Sequence, residues 1–266
     1  MSISISRDDT TGTTTVNVEV QGEILMVRLS RPEKRNAVND EMILALESVF
    51  SNIAPSIKCA VLYGEGKHFS AGLDLSELKE TDVLEGLHHS RMWHRVLDKV
   101  QFGTVPVVAV LHGACVGGGL ELASACHIRV AEASSFYALP EGQRGIFVGG
   151  SASVRVPKLI GMGRMADMMF TGRVITAQEG SAIGISEYLV PDGKGLEKGI
   201  ELAKKISGNT RMTNYALMHV LPRIVDAAHD QALMLESLAA AISQTSAESK
   251  ARLDDFLKGK AKKVGE

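Results

Sequence analysis

The chain has 266 residues, of which 45% are apolar and 23% are charged, and its formal net charge is −2. This composition is typical of a globular protein with a sizeable core, and the charge argues against nucleic acid as a partner. Three cysteines without metal-ligand spacing favour a reducing compartment. The N-terminal residues are polar and do not have the pattern of a signal peptide. No apolar stretch reaches the roughly 18 residues that a membrane span needs, so we expect a cytoplasmic protein.

Strand and helix patterns alternate through the first 140 residues. Strands at residues 16–20 and 23–29 around a Gln21-Gly22 turn predict a hairpin. The elements that follow are, in chain order, a helix opened by Asn39, a strand at 59–63, a helix at 82–101, a strand at 106–111, a helix at 120–125 and a strand at 128–131. This alternation favours an α/β fold with a largely parallel sheet.

From about Val148 onward the pattern is mainly helical. Helices are predicted at residues 162–170, 195–206 and 230–246, with one strand at 188–190. No Pro- or Ser-rich linker separates the two halves, so we expect a single domain over residues 1–266.

A run of three glycines, Gly117 to Gly119, follows an apolar strand and precedes a helix pattern that contains Glu121. Glycine costs up to about 1 kcal/mol relative to alanine inside a helix, so the run indicates a close approach to the backbone. First-turn N–H groups have no intrahelical partner, which suits a phosphate or an oxyanion formed during a reaction. Glu121 would repel a phosphate but could act as an acid or base. It is equally explained as a first-turn residue that the helix dipole favours.

Two further segments extend this pattern. Residues 69–75, FSAGLDL, follow the strand at 59–63, open a short helix at 75–80 and could donate a second N–H, although such turns are often only turns. Glu141 lies between Pro140 and Gly142, where a solvated loop residue is also common. Two glutamates beside an oxyanion site could form the acid–base pair that adds or removes water.

Four motifs together resemble the crotonase (enoyl-CoA hydratase/isomerase) superfamily. They are residues 29–37 (LSRPEKRNA), 69–75 (FSAGLDL), 113–121 (GACVGGGLE) and Pro140-Glu141. Their order and separation fit, and the resemblance extends from about residue 16 to residue 258. It implies a crotonase-like spiral of ββα units over about residues 1–200. It also implies a C-terminal helical oligomerisation region over about residues 201–266, in a homotrimer or in a hexamer formed as a dimer of trimers.

The resemblance also implies roles for individual residues. The N–H groups of Leu73 and Gly118 would form an oxyanion hole for the thioester oxygen of an acyl-CoA, and Glu121 and Glu141 would be the catalytic pair. Contacts with the CoA moiety are implied at five positions: Lys34, Arg35, Ala37, Ala71 and Leu75. CoA would enter as part of the substrate, and the resemblance implies neither a metal nor a separate cofactor.

The presence of both glutamates favours hydration, because isomerases of the superfamily often lack one of them. Water would add to C3 of a 2-enoyl thioester. Glu121 would take the proton of the water and Glu141 would deliver one to C2, or the reverse, since a coupled pair can share protons.

Two substrate assignments follow from the resemblance. Chain length and glutamate positions are similar to the branch that hydrates 3-methylthioacryloyl-CoA in dimethylsulfoniopropionate degradation. There the adduct loses methanethiol, and thioester hydrolysis and decarboxylation yield acetaldehyde, carbon dioxide and CoA. The alternative is a generic short-chain enoyl-CoA hydratase or an enoyl-CoA isomerase.

The chain departs from the family pattern just after Glu141. Val148 replaces a usual proline, and Phe147 is bulky. If these two residues wall the acyl pocket, we expect the pocket to be short or unusual in shape.

Other kinds of protein fit the sequence less well. Residues 161–166, GMGRMA, match the nicotinamide fingerprint G-x-G-x-x-A, but no clean strand precedes them, which favours a turn between two helices. A non-catalytic RNA-binding relative is disfavoured by the net charge and by the two glutamates. His88, His89 and His94 lie with Trp93 on one predicted helix, where packing is the simpler explanation than a metal site.

Overall fold

A computed structural model describes residues 15–77 and 82–260. The chain divides into two compact units, Met1–Lys205 and Ile206–Glu266. The elements up to residue 132 are β1 (Val16–Gln21), β2 (Ile24–Leu29), α1 (Asp40–Ser51), β3 (Cys59–Gly64), α2 (Val83–Gln101), β4 (Val107–Leu111), β5 (Ala114–Val116), α3 (Gly118–Ala125) and β6 (Ile128–Glu132). Those that follow are β7 (Phe136–Ala138), α4 (Ala152–Ile160), α5 (Met162–Thr171), β8 (Ile175–Thr176), α6 (Ala177–Ile183), β9 (Tyr188–Val190) and α7 (Gly195–Ser207), whose last turn crosses the division.

The larger sheet has six strands in the order β1-β2-β3-β4-β6-β9. The hairpin strands β1 and β2 are antiparallel, and the other pairs are parallel. Strand β4 is buried along its whole length, which explains its continuous apolar run, because a central parallel strand is covered on both faces. The predicted α/β class is therefore confirmed.

The starts of α1 and α2 follow capping residues that the sequence contains. The Asn39 side chain accepts a hydrogen bond from the Met42 N–H at 3.0 Å, which fixes the start of α1. Asp82 and Glu85 form a reciprocal capping box that fixes the start of α2. The first turns of α1 and α2 are therefore stabilised by their own local sequence.

Several predicted boundaries differ from the observed ones. The hairpin turn is Gly22-Glu23, because β1 extends through Gln21 and glycine supplies the positive φ of 65°. The predicted helix at 75–80 begins as a 3-10 turn at Leu75–Glu77, and residues 78–80 lie outside the described residues. In the GMGRMA segment, Gly161 lies at the predicted turn between two helices, α4 and α5, whereas residues 162–166 already belong to α5.

A second, smaller sheet was not predicted. Strand β5 pairs with β7 in parallel, and β7 pairs with β8 antiparallel. These strands have two or three residues each, too few to show a hydrophobic period. This sheet matters for the site because β5 leads directly into the glycine run.

The second unit is helical. It contains α8 (Arg211–Tyr215), a π-helical turn at Ala216–Val220, α9 (Leu221–Asp226), α10 (His229–Ser243) and α11 (Ala247–Leu257). The single helix predicted at 230–246 is thus wrong in its C-terminal bound, because the Ser246 side chain caps a new helix by accepting from the Ser249 N–H at 3.0 Å. Within residues 15–77 and 82–260, no helix combines the length and apolar content that a membrane crossing needs.

Candidate active site

The turn from β5 into α3 needs glycine at its first position. Gly117 has φ +51° and ψ −123°, a conformation that L side chains rarely adopt. A Cβ atom on Gly117 would also lie 2.7 Å from Glu141 Oε1. The absent side chain therefore lets the Glu141 carboxyl approach the backbone.

The next two glycines are required by close neighbours. A Cβ on Gly118 would lie 2.9 Å from Trp93 Cη2, and a Cβ on Gly119 would lie 2.6 Å from the Ser70 carbonyl oxygen. Each contact is shorter than real Cβ atoms show, so something would have to shift. Each glycine of the run is thus explained by a different group that lies too close for a side chain: the Glu141 carboxyl, the Trp93 ring and the Ser70 carbonyl.

The FSAGLDL loop is fixed between two neighbouring segments. The Val38 N–H donates to Gly72 O at 2.7 Å, and the Asp74 N–H donates to Val38 O at 2.9 Å. On its other side, the Ser70 N–H donates to Ala114 O in β5 at 2.9 Å. In a parallel bridge of this kind the middle residue, Leu73, directs its own N–H away from Val38.

The structure brings Leu73 and Gly118 together. An ideal Cβ on Gly118 would lie 3.3 Å from the Leu73 nitrogen, and one on Gly72 would lie 3.2 Å from the Gly118 nitrogen. Within the described part of the chain, neither N–H donates to a protein acceptor. The two donors predicted to form an oxyanion hole are therefore adjacent and available to a ligand.

Glu121 is buried in the first turn of α3 and is held by backbone donors. Its Oε1 accepts from the Gly150 N–H and the Ala152 N–H, each at 2.9 Å. Burial raises the pKa of Glu121 to about 7, and the Glu141 charge adds to this rise. The two N–H donors oppose the rise, as does the nearby Arg155 charge. A carboxyl with a pKa near neutrality can exchange a proton at physiological pH.

Glu141 is also buried, with 8% of its surface exposed against 5% for Glu121. It precedes a 3-10 turn at Gly142–Arg144, and its Oε2 has no hydrogen-bond partner within the residues described. Burial raises the pKa of Glu141, and the Arg144 charge partly opposes this. An unpartnered buried carboxyl oxygen is costly, so its place beside a cavity suggests a functional use.

The two glutamates and the two N–H donors line one cavity of about 50 Å³. That volume accommodates a few water molecules rather than a long chain. Its lining contains most of the predicted site residues: Ala71, Leu73, Leu75, Gly118, Glu121, Glu141, Phe147 and Val148. The remaining lining residues were not predicted: Gly72, Gly117, Arg144, Ile146 and Gly149.

Three of the residues predicted to contact CoA lie outside the cavity lining. Lys34 and Arg35 are exposed, and Ala37 is half-buried. Arg35 nevertheless connects to the site, because its carbonyl accepts from the Ala71 N–H at 3.0 Å. Lys34, Arg35 and Ala37 remain predicted CoA contacts on the segment beside the FSAGLDL loop.

The segment after Glu141 forms one wall of the cavity. Val148 is buried, whereas Phe147 is 69% exposed although it lines the cavity.

Trp93 was predicted to be a packing residue, and it packs against Gly118 and Gly150. Its contact with the glycine run could not be read from its position on α2, because it depends on how α2 crosses α3.

Comparison with known proteins identifies the family. The sequence profile of the family Enoyl-CoA hydratase/isomerase matches residues 19–263. The short-chain-enoyl-CoA hydratase of Clostridium acetobutylicum is 30% identical over 225 residues, which cover 84% of this chain and 86% of that protein. The 2,3-dehydroadipyl-CoA hydratase of Escherichia coli is 30% identical over 208 residues, covering 77% and 80%.

Solved structures give the same result. A candidate enoyl-CoA hydratase from Rhodopseudomonas palustris is 51% identical, with a TM-score of 0.91 over 95% of this chain and 98% of that one. The enoyl-CoA hydratase of Bacillus anthracis is 27% identical, with a TM-score of 0.87 over 95% and 100%. The chain belongs to the enoyl-CoA hydratase/isomerase family, and it is an enzyme. The predicted crotonase superfamily is therefore confirmed.

Proposed function

We propose that the enzyme adds water across the 2,3 double bond of a short-chain 2-enoyl-CoA. The observation that carries this proposal is the meeting at one small cavity of two buried carboxyls and two N–H groups that have no acceptor among residues 15–77 and 82–260. The hydratases among its relatives support it. An enoyl thioester offers an oxygen for the N–H groups and an electrophilic carbon for the water.

In the proposed reaction, the Leu73 and Gly118 N–H groups stabilise the negative charge that develops on the thioester oxygen. One such donor is typically worth about 3 kcal/mol of transition-state stabilisation. Water held between the glutamates attacks C3 while Glu121 accepts its proton. Glu141, protonated, delivers a proton to C2, so the pair ends with its proton exchanged between the two sites. The reverse reaction follows the same path.

For Glu121, the atom that would take the proton is Oε2. Its Oε1 is already used by two N–H donors, which fix the orientation of the carboxyl plane. The residue beside Oε2 is Gly150, and a Cβ atom at that position would lie only 2.6 Å from this oxygen. Glu141 Oε2 is unpartnered within the described residues, which suits a group that must reach C2.

A generic short-chain substrate such as crotonyl-CoA is favoured over 3-methylthioacryloyl-CoA. The relatives named as short-chain and dehydroadipyl-CoA hydratases support hydration without pointing to a methylthio group. The small cavity suits either acyl chain. We retain the methylthio substrate, with release of methanethiol and CoA, as a second candidate because its acyl group has a similar length.

The test offers the purified enzyme crotonyl-CoA, 3-methylthioacryloyl-CoA and a 3-enoyl-CoA. Chromatography then measures 3-hydroxyacyl-CoA, methanethiol, free CoA and 2-enoyl-CoA. The proposal expects 3-hydroxybutyryl-CoA as the main product. Efficient release of methanethiol and free CoA would assign the specialised reaction instead. Conversion of the 3-enoyl substrate without hydration would assign an isomerase.

A further inference from the structure

Arg155, in α4, is a buried arginine that the proposed mechanism does not use. Its side chain is 8% exposed. Its Nε donates to Gln101 Oε1 at 2.6 Å, and its Nη2 donates to Asp98 Oδ1 at 2.7 Å, both in the last turns of α2. Its Nη1 donates to Ser151 Oγ. The guanidinium therefore ties the start of α4 to α2.

Arg155 binds the Ser151 hydroxyl in the segment of residues 150–152, and the backbone of the same segment donates the hydrogen bonds to the Glu121 carboxyl. Gly150 and Ala152, which donate to Glu121 Oε1, lie on either side of Ser151. Ser151 has φ +90°, an uncommon conformation for a residue with a side chain, and such a conformation persists when surrounding contacts enforce it. The Ser151 hydroxyl also hydrogen-bonds the Gly150 carbonyl. The Arg155 contact is thus one residue from each donor.

We propose that Arg155 is a positioning residue that sets the orientation of the Glu121 carboxyl by fixing the backbone at Gly150 to Ala152. The inference rests on the proposed role of Glu121. Arginine suits this task because its rigid planar fork donates from three separate nitrogen atoms, whereas lysine offers a single nitrogen at the end of a flexible stem. Losing the fork would let the donors move and would misplace the carboxyl relative to water and C3.

The charge of Arg155 gives a second, separable effect. Arg155 and Glu141 act on the pKa of Glu121 in opposite directions, with Arg155 lowering it. The ionisable groups that act on Arg155 are Asp98, Glu121 and Cys126. Replacing the arginine by lysine keeps the charge and loses the fork, whereas methionine loses both.

The experiment compares Arg155→Lys and Arg155→Met with the wild type, using crotonyl-CoA hydration well below the melting temperature. For Arg155→Lys we expect kcat to fall by about 10-fold to 100-fold. KM should change less than about twofold, because the oxyanion donors and the CoA contacts are elsewhere. For Arg155→Met we expect a larger fall in kcat, and an upward shift of the apparent pKa that reports Glu121 in the kcat/KM profile.

Arg129→Lys is the matched control. Arg129 is also buried, pairs with Glu187 and donates to Ile185 O and Cys126 O at 2.7 Å, and its side-chain hydrogen bonds among the described residues do not include the segment around Ser151. We expect this variant to lose thermal stability while keeping kcat and the pH profile. Arg155→Lys with the same kcat and pH profile as Arg129→Lys would overturn the inference.

Two further variants keep the test decisive. If the Arg155 variants fail to fold, Ser151→Ala removes one acceptor and leaves Asp98 and Gln101 in place. A kcat lowered several-fold supports the inference, and an unchanged kcat overturns it.

In a Glu121→Gln background, Arg155→Lys should lower the residual kcat less than about twofold. An active Glu121→Gln enzyme would overturn the proposed role of Glu121 and this inference with it, while the proposed hydration would stand. A wild type that does not hydrate crotonyl-CoA overturns the proposed function, and an inactive Glu121→Gln beside a fully active Arg155→Lys overturns the inference alone.

Discussion

The start of α3 is buried and closely packed except where it lines the cavity, whereas the segment that follows Glu141 lies open to solvent. Every residue of α3 is buried, and each glycine of the run has a neighbour where its Cβ would be. Residues 142–147 are all exposed. Both regions line the same cavity.

This difference separates two tasks within one site. Groups that must be held to a fraction of an ångström, such as an N–H donor or a base, belong on a rigid element. Groups that select among acyl chains need only exclude or accept volume, and an exposed segment can change without unfolding the core. We therefore expect chemistry to fail when α3 is altered and selectivity to shift when the exposed segment is altered.

The largest expected effect is the loss of the base. Glu121→Gln keeps the shape and the Oε1 acceptor but cannot take a proton, so kcat should fall on the order of 10³-fold. Stopped-flow or steady-state hydration of crotonyl-CoA measures this. Binding of CoA itself should be unchanged in the same variant. A fall of less than about 10-fold would contradict the assignment of Glu121 as the base.

The same substitution should stabilise the fold at alkaline pH. Glu121 has a pKa of about 7 in the folded chain against an ordinary value of 4.5, so between these values the folded state holds a proton that the unfolded state has released. Stability therefore falls as pH rises from 4.5 through 7, and the loss is complete above the folded pKa. Glu121→Gln avoids this loss and should gain up to about 3 kcal/mol at pH 8.

Urea titrations at pH 8 and at pH 5 measure the stability gain, which should shrink at the lower pH. Glu47→Gln is a control of opposite sign, because the hydrogen bond from Arg95 lowers the pKa of Glu47. That variant should be less stable than the wild type at pH 8. Equal stabilities of Glu121→Gln and the wild type at both pH values would show that burial does not penalise the carboxylate.

The oxyanion donor should be sensitive to one methyl group. In Gly118→Ala the new Cβ would lie 2.9 Å from Trp93 and 3.3 Å from the Leu73 nitrogen, so the Trp93 ring or the backbone around the two donors must shift. We expect kcat to fall by about 100-fold. Gly163→Ala is the matched control, because Gly163 also lies in the first turn of a helix but no atom of the described residues lies within 4 Å of its Cβ position. It should keep full activity, and a Gly118→Ala enzyme as active as this control would exclude the donor role.

The smallest expected effect concerns the exposed wall. Phe147→Ala should leave kcat for crotonyl-CoA within about twofold and raise the kcat/KM ratio of hexenoyl-CoA to crotonyl-CoA by about 5-fold. Phe170→Ala is the control, because Phe170 is 86% exposed and does not line the cavity. The two variants should differ in their chain-length preference. If both leave the ratio unchanged, Phe147 does not limit the acyl pocket.

The sequence by itself determined the elements that carry a local signal. The apolar run of β4 predicts a buried strand, and Asn39 and Asp82 mark helix starts through their own side chains. The glycine run beside Glu121 signals an unusual backbone site because glycine is costly there unless something requires it. The motifs, taken together, were sufficient for the family.

The tertiary structure alone decided how these pieces meet. The small sheet of β5, β7 and β8 exists only through pairing, since strands this short have no stability or pattern of their own. The approach of Leu73 to Gly118 depends on contacts with Val38, 35 residues earlier in the chain. The pKa of Glu121 depends on burial, and its orientation on Gly150 and Ala152, about 30 residues later. Long-range packing sets these properties, and no local pattern encodes them.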